Sequence, residues 1–137
     1  MNEHENSVSF FRFEDLRIYA KALDYIKWVH DVSLLATGQD KMLRETFLKS
    51  AHAIALHIAE GSARNKAQFI YYLKMAKSSV RECVVFTELA KETAILSEDH
   101  REYSRTQLME LTRMIGSLVT SLQRSVSNSK DDMDEMD

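Results

Sequence analysis

Five histidines and one cysteine are the side chains of this sequence best suited to hold a metal or to exchange a proton near neutral pH. Their spacing argues against both uses. A carboxylate-bridged metal pair inside a helical bundle needs a glutamate three positions before a histidine on two helices. Here His30, His52, His57 and His100 are preceded at that position by Lys27, Lys49, Ile54 and Ser97. His52 and His57 lie five apart, a spacing that aims two rings at one ion less well than i,i+4 does. We therefore expect no bound metal and read the histidines as packing or surface groups. Cys83 is alone, so disulfides within the chain and multi-cysteine zinc sites are excluded, and it falls on an apolar helix seam where a lone cysteine packs as a small core residue. Gly38, Gly61 and Gly116 are too dispersed for a phosphate-cradling or dinucleotide-binding loop, and there is no Gly-x-Ser-x-Gly elbow. The expectation is a protein with no catalytic residues and no cofactor.

Basic side chains are the better lead. Lys74, Lys77 and Arg81 recur at i, i+3 and i+7 along one helix, Arg64 and Lys66 stand near its start, and Tyr71 and Tyr72 lie between. Such a row can follow a phosphate backbone. It can equally be a solvated face, since Lys74 with Ser78 and Glu88 with Lys91 are ordinary surface neighbours. Glu60, in the last turn of its helix, faces the negative end of the helix dipole, which calls for a cationic partner such as Arg64 or Lys66.

The elements that position these residues are helices. The chain of 137 residues contains no proline and three glycines, with 45% apolar and 28% charged residues. A flexible arm (1–12) with no secretory signal precedes a four-helix bundle (13–125), and no apolar run is long enough to span a bilayer. A tail (126–137), where Lys130 stands against Asp131, Asp132, Asp134, Glu135 and Asp137, is expected to be disordered. The net charge of −3 resides largely in that tail, leaving the body mildly basic. The spacing predicts helices from about Glu14 to Ala36, from a cap at Asp40 or a neighbour to Glu60 with Gly61 as a left-handed stop, from an Asn65–Gln68 capping box to Ser97, and from there to about Arg124. Phe69, Leu73, Ala76, Val80, Cys83, Thr87, Ala90 and Ala94 alternate steps of four and three, as do Leu108, Leu111, Ile115, Leu118 and Leu122, the repeat of a bundle seam. Ala51, Ala55 and Ala59 form a small-residue strip for close helix approach. The first helix carries two stripes, Ile18, Ala22, Tyr25, Val29 and Val32 beside Tyr19, Leu23, Ile26 and His30. That width exceeds one bundle face and predicts self-association. The fold class is thus all-α, an up-down-up-down antiparallel four-helix bundle with a lateral surface for self-association, suited to a reducing cytoplasm.

The segment Ala53-Ile54-Ala55-Leu56-His57-Ile58-Ala59-Glu60-Gly61 resembles the signature of the four-helix-bundle family named for intervening sequences in bacterial 23S ribosomal RNA genes. Phe13-Glu14-Asp15-Leu16 resembles that family's opening motif, and Phe69 through Glu82 its third-helix segment. Three departures stand out: His57 replaces a usual Asn, Ser78 a usual Gly, and Lys49-Ser50 a frequent pair of arginines. The resemblance implies an all-α bundle that assembles laterally into a cyclic oligomer, a homopentamer, with Asp15, Leu16, Ile58, Ala59, Glu60 and Gly61 as its structural motif. It also implies kinship with the accessory variability proteins of diversity-generating retroelements, which bind nucleic acid and a reverse transcriptase. Together these readings give a cytoplasmic scaffold that binds RNA or a nucleoprotein complex through Lys49, Arg64, Lys66, Lys74, Lys77 and Arg81. The alternative is a protein adaptor, or an accessory to a reverse transcriptase, without RNA affinity of its own.

Overall fold

The computed structural model describes residues 10–34 and 40–136, with side chains to residue 128. A one-turn 3-10 helix, Arg12–Asp15, leads into α1 (Arg17–Ser33), followed by α2 (Lys41–Ser62), α3 (Lys66–Glu92) and α4 (Glu98–Met136). Each helix packs on its sequence neighbours, and α4 returns to α1, while the diagonal pairs stay apart. The short connections make neighbours antiparallel, closing an up-down-up-down square.

The seams fill the middle of that square. Ile18, Ala22, Tyr25 and Val29 of α1 meet Ala51, Ile54 and Ile58 of α2, Leu73, Ala76, Val80 and Cys83 of α3, and Leu108, Leu111 and Ile115 of α4, all buried. Leu118 and Leu122 continue the α4 seam as partly buried contacts. One polar chain crosses this core. The Tyr25 hydroxyl is 2.8 Å from Ser104 Oγ, which is 2.7 Å from Thr87 Oγ1, and Thr87 donates to the Cys83 carbonyl at 2.7 Å. All the hydroxyls in it are therefore partnered, as burial requires.

Several boundaries depart from the sequence expectation, each for a physical reason. The first helix does not start at Glu14. Residues Arg12–Asp15 form the 3-10 turn, Leu16 is extended, and the α-helix begins at Arg17. Its expected end at Ala36 lies outside the described residues. Gly61 is not a left-handed stop, because α2 continues through it to Ser62. What demands glycine is proximity: a Cβ there would lie 2.6 Å from Tyr72 Cβ and 2.9 Å from Phe69 Cδ1 across the α2–α3 contact. Asn65 does cap α3, its Oδ1 accepting from the Gln68 backbone N–H at 2.8 Å.

Ala94 is not a seam residue either. With φ at 61° it holds the left-handed position of a Schellman stop, in which the Ile95 N–H reaches the Ala90 carbonyl (2.9 Å) and the Ala94 N–H reaches that of Lys91 (3.1 Å). Ser97 opens α4 by a reciprocal cap, since its Oγ accepts from the His100 N–H and its own N–H donates to His100 Nδ1. Finally, α4 does not end near Arg124. No glycine or proline follows that residue, and helical backbone carries on through the acidic segment to Met136. Because Lys66 at the start of α3 bonds Ser125, the last eleven residues of α4 project about 16 Å beyond that level.

Candidate nucleic-acid interface

Lys74, Lys77 and Arg81 follow one another along about 10 Å of α3. Lys74 and Arg81 are exposed and Lys77 is half-buried. The apolar seam of α3, Leu73, Ala76, Val80 and Cys83, is fully committed to the core, which leaves the cations to the outer side. Lys49 is exposed on α2 and flanks α3 on a different side, since the groove it lines takes Ser79, Glu82 and Phe86 from α3 and none of these three cations. Its neighbour Ser50 is buried and donates to Glu82 Oε2 at 2.8 Å, setting Lys49 level with the Arg81–Glu82 turn of α3. A groove of about 340 Å³ runs there between the two helices, lined among others by Lys49, Ser50, His57, Ser79 and Glu82. Among the described residues none of Lys49, Lys74, Lys77 and Arg81 has an ion-pair partner, whereas Lys21, Arg64, Arg101 and Arg105 each hold a glutamate.

Arg64 and Lys66 are differently placed. Arg64 closes on Glu60, with Nε 3.0 Å from Oε1, and lies over the Tyr72 ring at 5.6 Å, so it pins the α2–α3 turn. This is the partner that Glu60 requires at the negative end of its helix. Lys66 donates to Ser125 and ties the start of α3 to α4. The six cations thus divide into four that face outward without a carboxylate and two engaged within the chain. Tyr71 stands beside Lys74, 62% exposed and edge-on to Tyr72 at 5.8 Å, with a free face for stacking. Glu82 places a carboxylate in the groove that Lys49 lines.

The structural motif has a distinct logic at each position. Ile58 is fully buried, Ala59 is half-buried, Glu60 tethers Arg64, and Gly61 admits Tyr72. Leu16 packs against the core edge, and Asp15 is exposed in the opening turn. The positions that depart from the family pattern fit quietly. His57 sits 6.3 Å from the Tyr72 ring, and the Ser78 hydroxyl donates to the Lys74 carbonyl at 3.3 Å.

Two groupings escaped the sequence reading. Arg113, Gly116, Ser117, Thr120, Ser121 and Arg124 share one open side of α4; their i, i+3, i+4, i+7 spacing was the available signal. His30 and His52, twenty-two residues apart, meet across α1 and α2 with their Nε2 atoms 3.0 Å apart. Nothing in the spacing of either residue signals that encounter, because it depends on how two helices are rotated against each other. Cys83 is fully buried, and burial, with Glu82 as a lesser cause, pushes its thiol far above the usual range. A thiol held in that state is a poor nucleophile. Among the described residues no three histidine, cysteine, aspartate or glutamate side chains gather around one point, and no helix is long and apolar enough to cross a membrane.

A family model described as 23S rRNA-intervening sequence protein matches residues 14–117. No curated protein matches the chain. Among solved structures, a protein of unknown function from the S23 ribosomal protein family of Bacteroides thetaiotaomicron is 19% identical, with a TM-score of 0.69 over 75% of this chain and 95% of that one. At that identity the likeness establishes the four-helix fold alone.

Proposed function

The chain belongs to the 23S rRNA-intervening sequence protein family, and from that premise we infer that it is a non-enzymatic, self-associating scaffold of the cytoplasm that binds RNA electrostatically. The observation that carries this reading is the set of cations Lys49, Lys74 and Arg81, exposed, with half-buried Lys77, on two adjacent helices and without carboxylate partners among the described residues. An unpaired lysine or arginine releases condensed counterions when it meets a phosphate, and that release is a favourable term a paired cation does not supply in full. Exposed Tyr71 adds a ring on which an unstacked base can lie. The reading therefore favours single-stranded or looped RNA over a regular duplex.

Self-association is supported by the second stripe of α1. Leu23 is 43% exposed, Leu56 of α2 is 66% exposed, and Tyr19 and Ile26 are only half-buried. A repeat of this face around a ring, five copies in the family's manner, would multiply the cations presented to one RNA. A reverse transcriptase or another nucleoprotein is the partner class to which such a ring is suited. The same exposed apolar side chains favour the second reading, a protein adaptor docked on the bundle.

The test is fluorescence anisotropy of a labelled looped RNA titrated with the full chain at rising salt. Four phosphate contacts predict a log–log slope near −3 and about a 50-fold loss of affinity between roughly 50 and 200 mM salt. Charge reversal at Lys74, Lys77 and Arg81 should abolish most of that slope. Arg64→Gln should reduce folding stability more than RNA affinity. Absence of binding at the lowest salt, or binding indifferent to salt, refutes the RNA reading and leaves the adaptor.

A further inference from the structure

We propose that His30 and His52 form a two-imidazole site for a divalent first-row transition ion, bridging α1 and α2. His30 lies in the last turn of α1 and is exposed; His52 lies within α2 and is half-buried. Their Nε2 atoms are 3.0 Å apart and their ring centroids 5.2 Å apart, so the two rings meet nearly tip to tip. Two nitrogens at that separation are almost at the spacing of cis ligands. With metal–nitrogen bonds of about 2.0–2.1 Å and a tetrahedral angle, ligating nitrogens stand about 3.3 Å apart, and at a right angle about 2.9 Å. Because the rings now point at each other, each lone pair must swing about 40° off the line between the two nitrogens to meet an ion at that bond length, so the half-buried His52 ring turns as well as the exposed His30 ring.

The pair is an arrangement that a proton now occupies and an ion can take over. In the hydrogen bond one Nε2 carries hydrogen and the other accepts it. For ligation the donor ring changes tautomer, its proton passing to Nδ1, and both Nε2 lone pairs go to the ion with no other bond broken. Imidazole nitrogen selects copper, nickel and zinc over magnesium and calcium, with copper held most strongly among the divalent ions. Among the described residues no third histidine, cysteine or carboxylate completes the set, so water fills the remaining positions. An ion so held cross-links α1 to α2, whose connecting segment is otherwise the longest in the bundle.

The test uses the full chain and Cu²⁺ as the probe. Calorimetric titration should give one ion per chain, and electron paramagnetic resonance should show coupling to two imidazole nitrogens. His30→Ala and His52→Ala should each weaken binding at least about tenfold and reduce the coupling to a single nitrogen, since each deletes one of only two protein ligands. His57→Ala should leave both readouts unchanged. Circular dichroism and gel-filtration elution of the His30 and His52 variants, matched to the parent, separate loss of the ligand from loss of fold or assembly. Wild-type stoichiometry and spectrum in both the His30 and His52 variants, or no bound copper in the parent chain, would overturn the proposal.

Discussion

The two helical glycines with described surroundings predict opposite responses to the same substitution. In a helix, replacing glycine by alanine gains up to about 1 kcal/mol because the unfolded chain loses freedom and the helix does not. At Gly116, inside α4, an added Cβ meets nothing within 4 Å, so the full gain should appear. At Gly61 the same Cβ falls 2.6 Å from Tyr72 Cβ, 2.9 Å from Phe69 Cδ1 and 3.3 Å from Tyr72 Cγ. Carbon atoms prefer about 3.5–4.0 Å, and Tyr72 Cβ is anchored to the α3 backbone, so the helices must part by roughly 1 Å. Overpacking of that kind costs about 1–3 kcal/mol, and Gly61 lies in the last turn of α2, where the helix-propensity gain is small. Gly61→Ala should therefore lose about 1–2 kcal/mol net. Urea unfolding followed by circular dichroism, at matched protein concentration, should separate the variants by about 2–3 kcal/mol with the parent between them. If both shift the midpoint in the same direction, or Gly61→Ala is neutral, then close contact with α3 is not what glycine provides at that position.

Two further outcomes follow from local geometry. Ala94→Gly should raise stability by about 0.5–1 kcal/mol in the same assay, because the left-handed backbone at φ 61° strains alanine and not glycine. A loss there would mean that the alanine methyl contributes more than its strain costs. Glu88 receives Arg101 Nε at 3.0 and 2.9 Å and Arg105 at 2.9 Å. The Arg101 hydrogen bond, opposed by partial desolvation and reinforced by Arg105, holds its carboxyl below the ordinary 4.5. Since the unfolded chain takes up that proton first, the contribution is complete above the ordinary value and disappears as pH falls through the lowered one. Glu88→Gln should thus melt below the parent at neutral pH and converge with it in acid; a gap of equal size at both ends would exclude the ion pairs as its cause.

The helices were legible because burial repeats every three to four residues, and the bundle follows from four such repeats joined by short breaks. Helix ends were less so. Glycine is a stop signal when it supplies a positive φ, yet Gly61 is present for its missing methyl group, a tertiary contact invisible in one strand of sequence. Ala94 made the complementary error possible, since alanine is the least expected residue at a left-handed stop. The row Lys74, Lys77 and Arg81 was legible as a face of α3, and so was the need for a cation near Glu60. That Lys66 is engaged with α4, and that His30 meets His52, depends on how helices far apart in sequence are set against each other.

The hydroxyl chain of Tyr25, Ser104 and Thr87 also restricts how this family member can change over time. Removing the central hydroxyl, that of Ser104, leaves the Tyr25 hydroxyl buried without a partner, a loss of about 1–3 kcal/mol, whereas exchanging all of them for apolar groups of matching shape is close to neutral. A change that begins at Ser104 therefore passes through an unfavourable step, whereas one that begins at Tyr25 leaves Ser104 still bonded to Thr87. Lineages descended from a common bundle should therefore keep position 104 polar wherever position 25 is tyrosine. The same coupling fixes the rotation of α1, α3 and α4 about their axes, since turning any one of them draws its hydroxyl away from the other two.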